Sequence, residues 1–191
     1  MNWVERLLII GGVSLDVFAA MEREGSLVAK IEKKGLLSVC FLVCAWQAAA
    51  LYAGNLAAAV ILEKERSVWS LAVPGNGIML AAFTWLGMHL AAGALHRERI
   101  YEHRAERFNR NGILRAMVRA GGYMLLAGVA FGLLGTDAAA GMVLAVCVSA
   151  AAVIAGAYTG YCFGAPQKGA AYAAGAVLMW GYGVGIWLTG K

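Results

Sequence analysis

Charge is scarce in this chain: only 14% of its 191 residues are Asp, Glu, Lys or Arg, whereas an ordinary soluble domain carries about a quarter. That shortage argues against a water-facing globular domain. Proline is almost absent, and its two copies fall in turn-prone stretches, Pro74-Gly75-Asn76-Gly77 and Ala165-Pro166-Gln167-Lys168. The four cysteines, Cys40, Cys44, Cys147 and Cys162, all lie in apolar stretches, which argues against an exposed disulfide framework. No Ser-His-Asp arrangement, phosphate-cradling loop, metalloprotease helix or haem motif is visible, so no enzymatic activity and no cofactor are expected.

What the chain has in excess is apolar length, with 61% of residues hydrophobic. A membrane span needs about 20 such residues. The apolar stretches fall at about 3–21, 35–62, 78–95, 113–134, 138–163 and 169–188. The fold expected is therefore all-α and integral to a membrane, one domain of six transmembrane helices. Arg6 before Leu7-Leu8-Ile9-Ile10, with Ala19-Ala20 downstream, imitates a cleaved signal peptide. Asp16 inside the apolar region argues instead for a retained first span.

Between His96 and Arg110 the chain reads HRERIYEHRAERFNR, its most polar segment. Glu98, Glu102 and Glu106 recur every four residues, and Arg99, His103 and Arg107 follow one residue behind. Stripes of opposite sign thus lie side by side on a solvated helix. Residues 96–111 form a charged cytoplasmic connector between two three-helix repeats, 1–95 and 112–191. Because three is odd, the two repeats are expected to have inverted topology. Ala53-Gly54 matches Ala155-Gly156 in this scheme, and Trp85-Leu86-Gly87 matches Met179-Trp180-Gly181.

Lys and Arg are unevenly shared between alternate connections, twelve on one side and four on the other. Positive charge accumulates in cytoplasmic loops, so both termini are expected outside a bacterial cytoplasmic (inner) membrane. The net charge of +5 then needs no nucleic-acid partner. The 25 glycines and the runs Ala48 to Ala50, Ala57 to Ala59 and Ala150 to Ala152 permit the close helix approach on which association in lipid depends. The bilayer is the first partner; homo-oligomers are compatible with such a surface.

Gly12-Val13-Ser14-Leu15-Asp16-Val17-Phe18-Ala19-Ala20 resembles the Ser-Met/Leu-Asp-Ala-Phe-Ala signature of the bacterial MntP-type manganese efflux pumps, six-span members of the lysine-exporter superfamily. Trp46-Gln47-Ala48 resembles that family's Phe-Gln-Ala motif, Asn76 through Gly87 its third span, and Gly128-Val129-Ala130-Phe131 a Gly-Leu-Ala-Phe stretch of its fourth. The resemblance covers nearly the whole chain and implies export of a divalent cation, Mn2+ above all. Departures are specific. Anchoring on Gly128 puts Arg119 and Gly121 where the family carries the serine and aspartate of a second signature, no proline follows Gln47, and a Gly-Gly-Lys appears as Gly87-Met88-His89.

Asp16 is the main candidate residue. A carboxylate within a span costs about 2.5–3.5 kcal/mol on insertion scales and is a functional hypothesis by default; its bland reading is contact with interfacial water near Met21. A manganese site wants carboxylate, carbonyl and water oxygens. Ser14 and Gln47 are the candidate neutral ligands beside Asp16, and a back-bonded hydroxyl and a helix–helix hydrogen bond are their ordinary alternatives. His89 is a further candidate ligand or a satisfied bundle histidine. Cys40, Cys44 and Gln47 share one face of the second span, where thiols also serve as small packing residues.

Arg119 suggests a sharper alternative. In the inverted-repeat arrangement it faces Asp16, filling the place of a cation and making a structural ion pair. Three functions follow: a divalent-cation exporter, a non-transporting membrane scaffold with an Asp16–Arg119 pair, and an exporter of a small organic solute whose carboxylate Arg119 grips.

Overall fold

The computed structural model describes residues 3–68, 84–85, 87–89, 91–92, 109–133, 135, 138–164 and 168–189. They form five long helices: α1 (Trp3–Leu27), α2 (Lys33–Val68), α3 (Arg110–Leu133), α4 (Ala138–Phe163) and α5 (Lys168–Thr189). Residues 84–85, 87–89 and 91–92 are also helical, within the expected third span. The Pro74 turn and most of the charged connector lie outside the described residues. Among those described there is no strand.

The helix ends have local causes. Asn109 caps α3: its side-chain oxygen accepts from the Asn111 amide at 3.2 Å, and its carbonyl accepts from Ile113 at 3.0 Å. The helix therefore begins at Arg110, inside the expected connector, which ran to residue 111. Gly135 and Gly164, with φ of 61° and 80°, turn the chain out of α3 and α4 in the left-handed conformation that ends helices.

Three helices are long and apolar enough to cross a membrane: Lys33–Val60 within α2, Arg110–Leu133 and Ala138–Phe163. A shorter apolar stretch, Ala170–Gly181, lies in α5. The surface agrees with lipid contact. Large apolar side chains point outward, Phe41 at 76% exposure and Leu37 and Phe163 at 72%, while Asp16, Glu22 and Gln47 are buried. Such an apolar exterior, with several polar groups buried inside, is costly in water and suits a bilayer.

α1, with six charged residues among its 25, is the central helix. It packs on α4 most extensively, and also on α5 and α3; α2 packs mainly on α3 and secondarily on α4. Ile9, Ile10, Val13, Val17, Ala20 and Met21 are all buried, so α1 is covered nearly all round, as a core helix is. Glycine makes the two largest contacts close. A Cβ on Gly160 of α4 would strike the Glu22 carbonyl of α1, and one on Gly128 of α3 would strike the Leu51 carbonyl of α2.

Candidate functional site

Because α1 is enclosed, Asp16 ends up at 1% exposure, away from water. α3 supplies its counter-charge. Arg119 Nη2 lies 2.9 Å from Asp16 Oδ1, and Nε donates to Oδ2 at 3.3 Å, a two-point grip suited to a planar guanidinium. The same Nη2 donates to the Tyr172 hydroxyl of α5 at 2.7 Å, and the guanidinium carbon sits 5.8 Å from the centre of the Tyr172 ring. Three helices thus meet at one ion pair. Burial is asymmetric: the Arg119 side chain is 43% exposed.

The exposed part of Arg119 opens on a cleft of about 190 Å³ lined also by Arg23, Glu24, Gly112, Arg115 and Tyr172. Glu24 lies beyond the apolar part of α1, at only 4% exposure. Burial pushes its carboxyl above the ordinary value of 4.5, opposed by Arg23, by a hydrogen bond from the Asn109 backbone and by Arg115. The folded protein then holds a proton on Glu24 more tightly than the unfolded chain. This contribution to stability is complete below pH 4.5 and is lost as pH rises through the elevated value. Melting profiles of Glu24→Gln and wild type are therefore expected to converge in acid and to separate above it, with the variant flatter; parallel profiles would remove the assignment.

The other expected site residues are distributed unevenly. Ser14 and Gln47 are fully buried, and neither the Ser14 hydroxyl nor either amide atom of Gln47 has a hydrogen-bond partner among the described residues. Gln47 follows Trp46, whose indole donates to the Met117 carbonyl at 2.8 Å. Met117 precedes Arg119 by two residues, or about 3 Å of helix rise, so Gln47 lies near the depth of the ion pair. His89 has partners of its own: its Nδ1 shares a 2.8 Å hydrogen bond with the Tyr123 hydroxyl, and its ring meets Trp85 and Tyr123 edge-on. Cys44 donates weakly to the Val146 carbonyl at 3.6 Å, and all four cysteines are free thiols. Among the described residues no three His, Cys, Asp or Glu side chains cluster as a metal group.

Three residues were not singled out from the sequence. Tyr172 reads as one more aromatic in an alanine-rich span. Ser149, fully buried on α4 with no hydrogen-bond partner for its hydroxyl among the described residues, is a lone hydroxyl in an apolar run, a weak signal. Tyr123 lies four residues after Arg119 on α3, and that helical spacing could have marked it as a neighbour on the same face. Compared with family models, curated proteins and solved structures, the chain matches none of them.

Proposed function

We propose that the chain is a six-span transporter of the bacterial cytoplasmic membrane, both termini outside, that exports a divalent cation such as Mn2+. Asp16 is its anionic ligand, and Arg119 is a resident counter-charge that the cation displaces. The observation that carries this reading is the asymmetry of the ion pair. The carboxylate is enclosed at 1% exposure, while its guanidinium, 43% exposed, reaches in from a cleft through which it can withdraw. A buried carboxylate needs a positive partner in every state; exchanging guanidinium for cation supplies one both with and without cargo. The hydroxyls of Ser14 and Ser149 and the Gln47 carbonyl, without partners among the described residues, are the hard donors that Mn2+ accepts.

Helix packing supports the inverted repeat. Exchanging the two three-span halves maps the α1–α4 contact onto the α3–α2 contact, the two largest in the bundle. It also carries Gly156, which sits against Phe18 and Met21 of α1, onto Gly54, which sits against α3 at Leu125 and Gly128. The α1–α3 contact maps onto itself, so Asp16 and Arg119 lie between the halves, where rocking of one repeat against the other would alternate access. The likeness of the Asp16 segment to the MntP-type signature agrees with this reading.

The test is manganese tolerance in cells lacking their own exporter. Wild type is expected to restore export and Asp16→Ala to abolish it; equal tolerance would rule out the site. A second reading, a non-transporting bundle with a permanent ion pair, is favoured by the two-point grip and the added Tyr172 hydrogen bond. In that case neither protein confers tolerance.

A further inference from the structure

The cleft beside Arg119 has a charge pattern that cation transport does not explain. Arg115 and Arg119 lie four residues apart on α3, a spacing at which like charges on one helix face repel, and α3 contains no Asp or Glu to relieve them. Arg23 of α1 lines the same space. Among the described residues, the carboxylates beside these guanidinium groups are Asp16, held by Arg119, and Glu24, acted on by both Arg23 and Arg115.

We propose that this cleft binds a phosphate-bearing anion between Arg23 on one helix and Arg115 and Arg119 on the other. Guanidinium groups converging from two helices match the several oxygens of a phosphate through paired N–H donors. A volume near 190 Å³ exceeds several times the roughly 30 Å³ share of one water, room for a phosphate ester. The cleft lies at the end of the bundle where Lys and Arg concentrate, facing the leaflet whose anionic lipids attract basic side chains. The ligand is therefore either a lipid headgroup or a free phosphate compound, with the same chemistry at the arginines.

Two arms separate the sources, both in metal-free buffer so that neither depends on cation transport. In neutral detergent, thermal unfolding is followed against inorganic phosphate, with chloride at matched ionic strength as control. In nanodiscs, retention of phosphatidylglycerol over phosphatidylcholine is measured by native mass spectrometry. Arg115→Gln and, separately, Arg23→Gln leave the Asp16–Arg119 pair in place. A phosphate-specific rise in melting temperature identifies a free-phosphate site, and selective phosphatidylglycerol retention identifies a headgroup site. In either case both variants are expected to weaken the response at least tenfold. No preference over the controls in both arms, or a preference that both variants retain, overturns the proposal.

Discussion

Arg119→Gln is expected to destabilise the bundle in metal-free buffer and to recover when Mn2+ is added. Removing one partner of a buried ion pair leaves an uncompensated charge and costs about 3–5 kcal/mol. The lower end applies here because Arg119 is partly exposed and water screens part of the interaction. Asp16 cannot itself turn outward, being enclosed by α3, α4 and α5 around α1. If the cation takes the place of the guanidinium, Mn2+ at a hundred times its dissociation constant returns about 2.7 kcal/mol. The double variant Asp16→Asn/Arg119→Gln removes both charges and is expected to lie closer to wild type than Arg119→Gln alone, without a response to Mn2+. Thermal unfolding of the three proteins with and without metal distinguishes the two functional readings. Recovery by Mn2+ in the single variant supports exchange, whereas loss without recovery supports a permanent pair. A single variant as stable as wild type in metal-free buffer would contradict both.

The Asp16–Arg119 pairing was legible because it needed only two facts from the sequence. One was a carboxylate at membrane depth. The other was an arginine in the fourth span, Arg119, two residues before Gly121, the position that the family resemblance relates to Asp16. Their contact sits where α1 and α3 run antiparallel, Gly112 lying against Glu24 and Arg119 beside Asp16. The bounds of one helix were legible as well: the apolar stretch 138–163 coincides with α4, while α1 and α2 run on past the apolar stretches to Leu27 and Val68. What the sequence concealed was lateral placement. Amphipathicity normally marks the inward face of a helix, but a helix in lipid can be apolar on all sides, as α4 is. Nothing in the pattern therefore pointed Tyr172 at Arg119 or turned Ser149 inward. His89 shows the same limit: the sequence favoured a satisfied bundle histidine over a ligand, but nothing in it named Tyr123 of another helix as the partner of its ring nitrogen.

The same absence of a hydrophobic force between helices makes glycine replacement the sharpest probe of the bundle itself. At Gly160 even a methyl group would strike the main-chain oxygen of Glu22, with the Glu22 carbonyl carbon close behind. A main-chain carbonyl in a helix cannot rotate aside as a side chain can. Gly160→Ala must therefore part α1 from α4, disturbing the largest interhelical contact and loosening α1, which carries Asp16. Overpacking of this kind costs about 1–3 kcal/mol, occasionally more. Gly122 on α3 supplies the internal control, because a Cβ there meets nothing within 4 Å. Alanine at that exposed helical site is favoured over glycine by as much as about 1 kcal/mol. Two chemically identical substitutions are thus expected to move stability in opposite directions, Gly160→Ala downward and Gly122→Ala unchanged or upward, in detergent unfolding measured side by side. Equal melting of the two variants would mean that α1 and α4 do not approach backbone to backbone. The enclosure of Asp16, on which the exchange mechanism depends, would then have no structural basis.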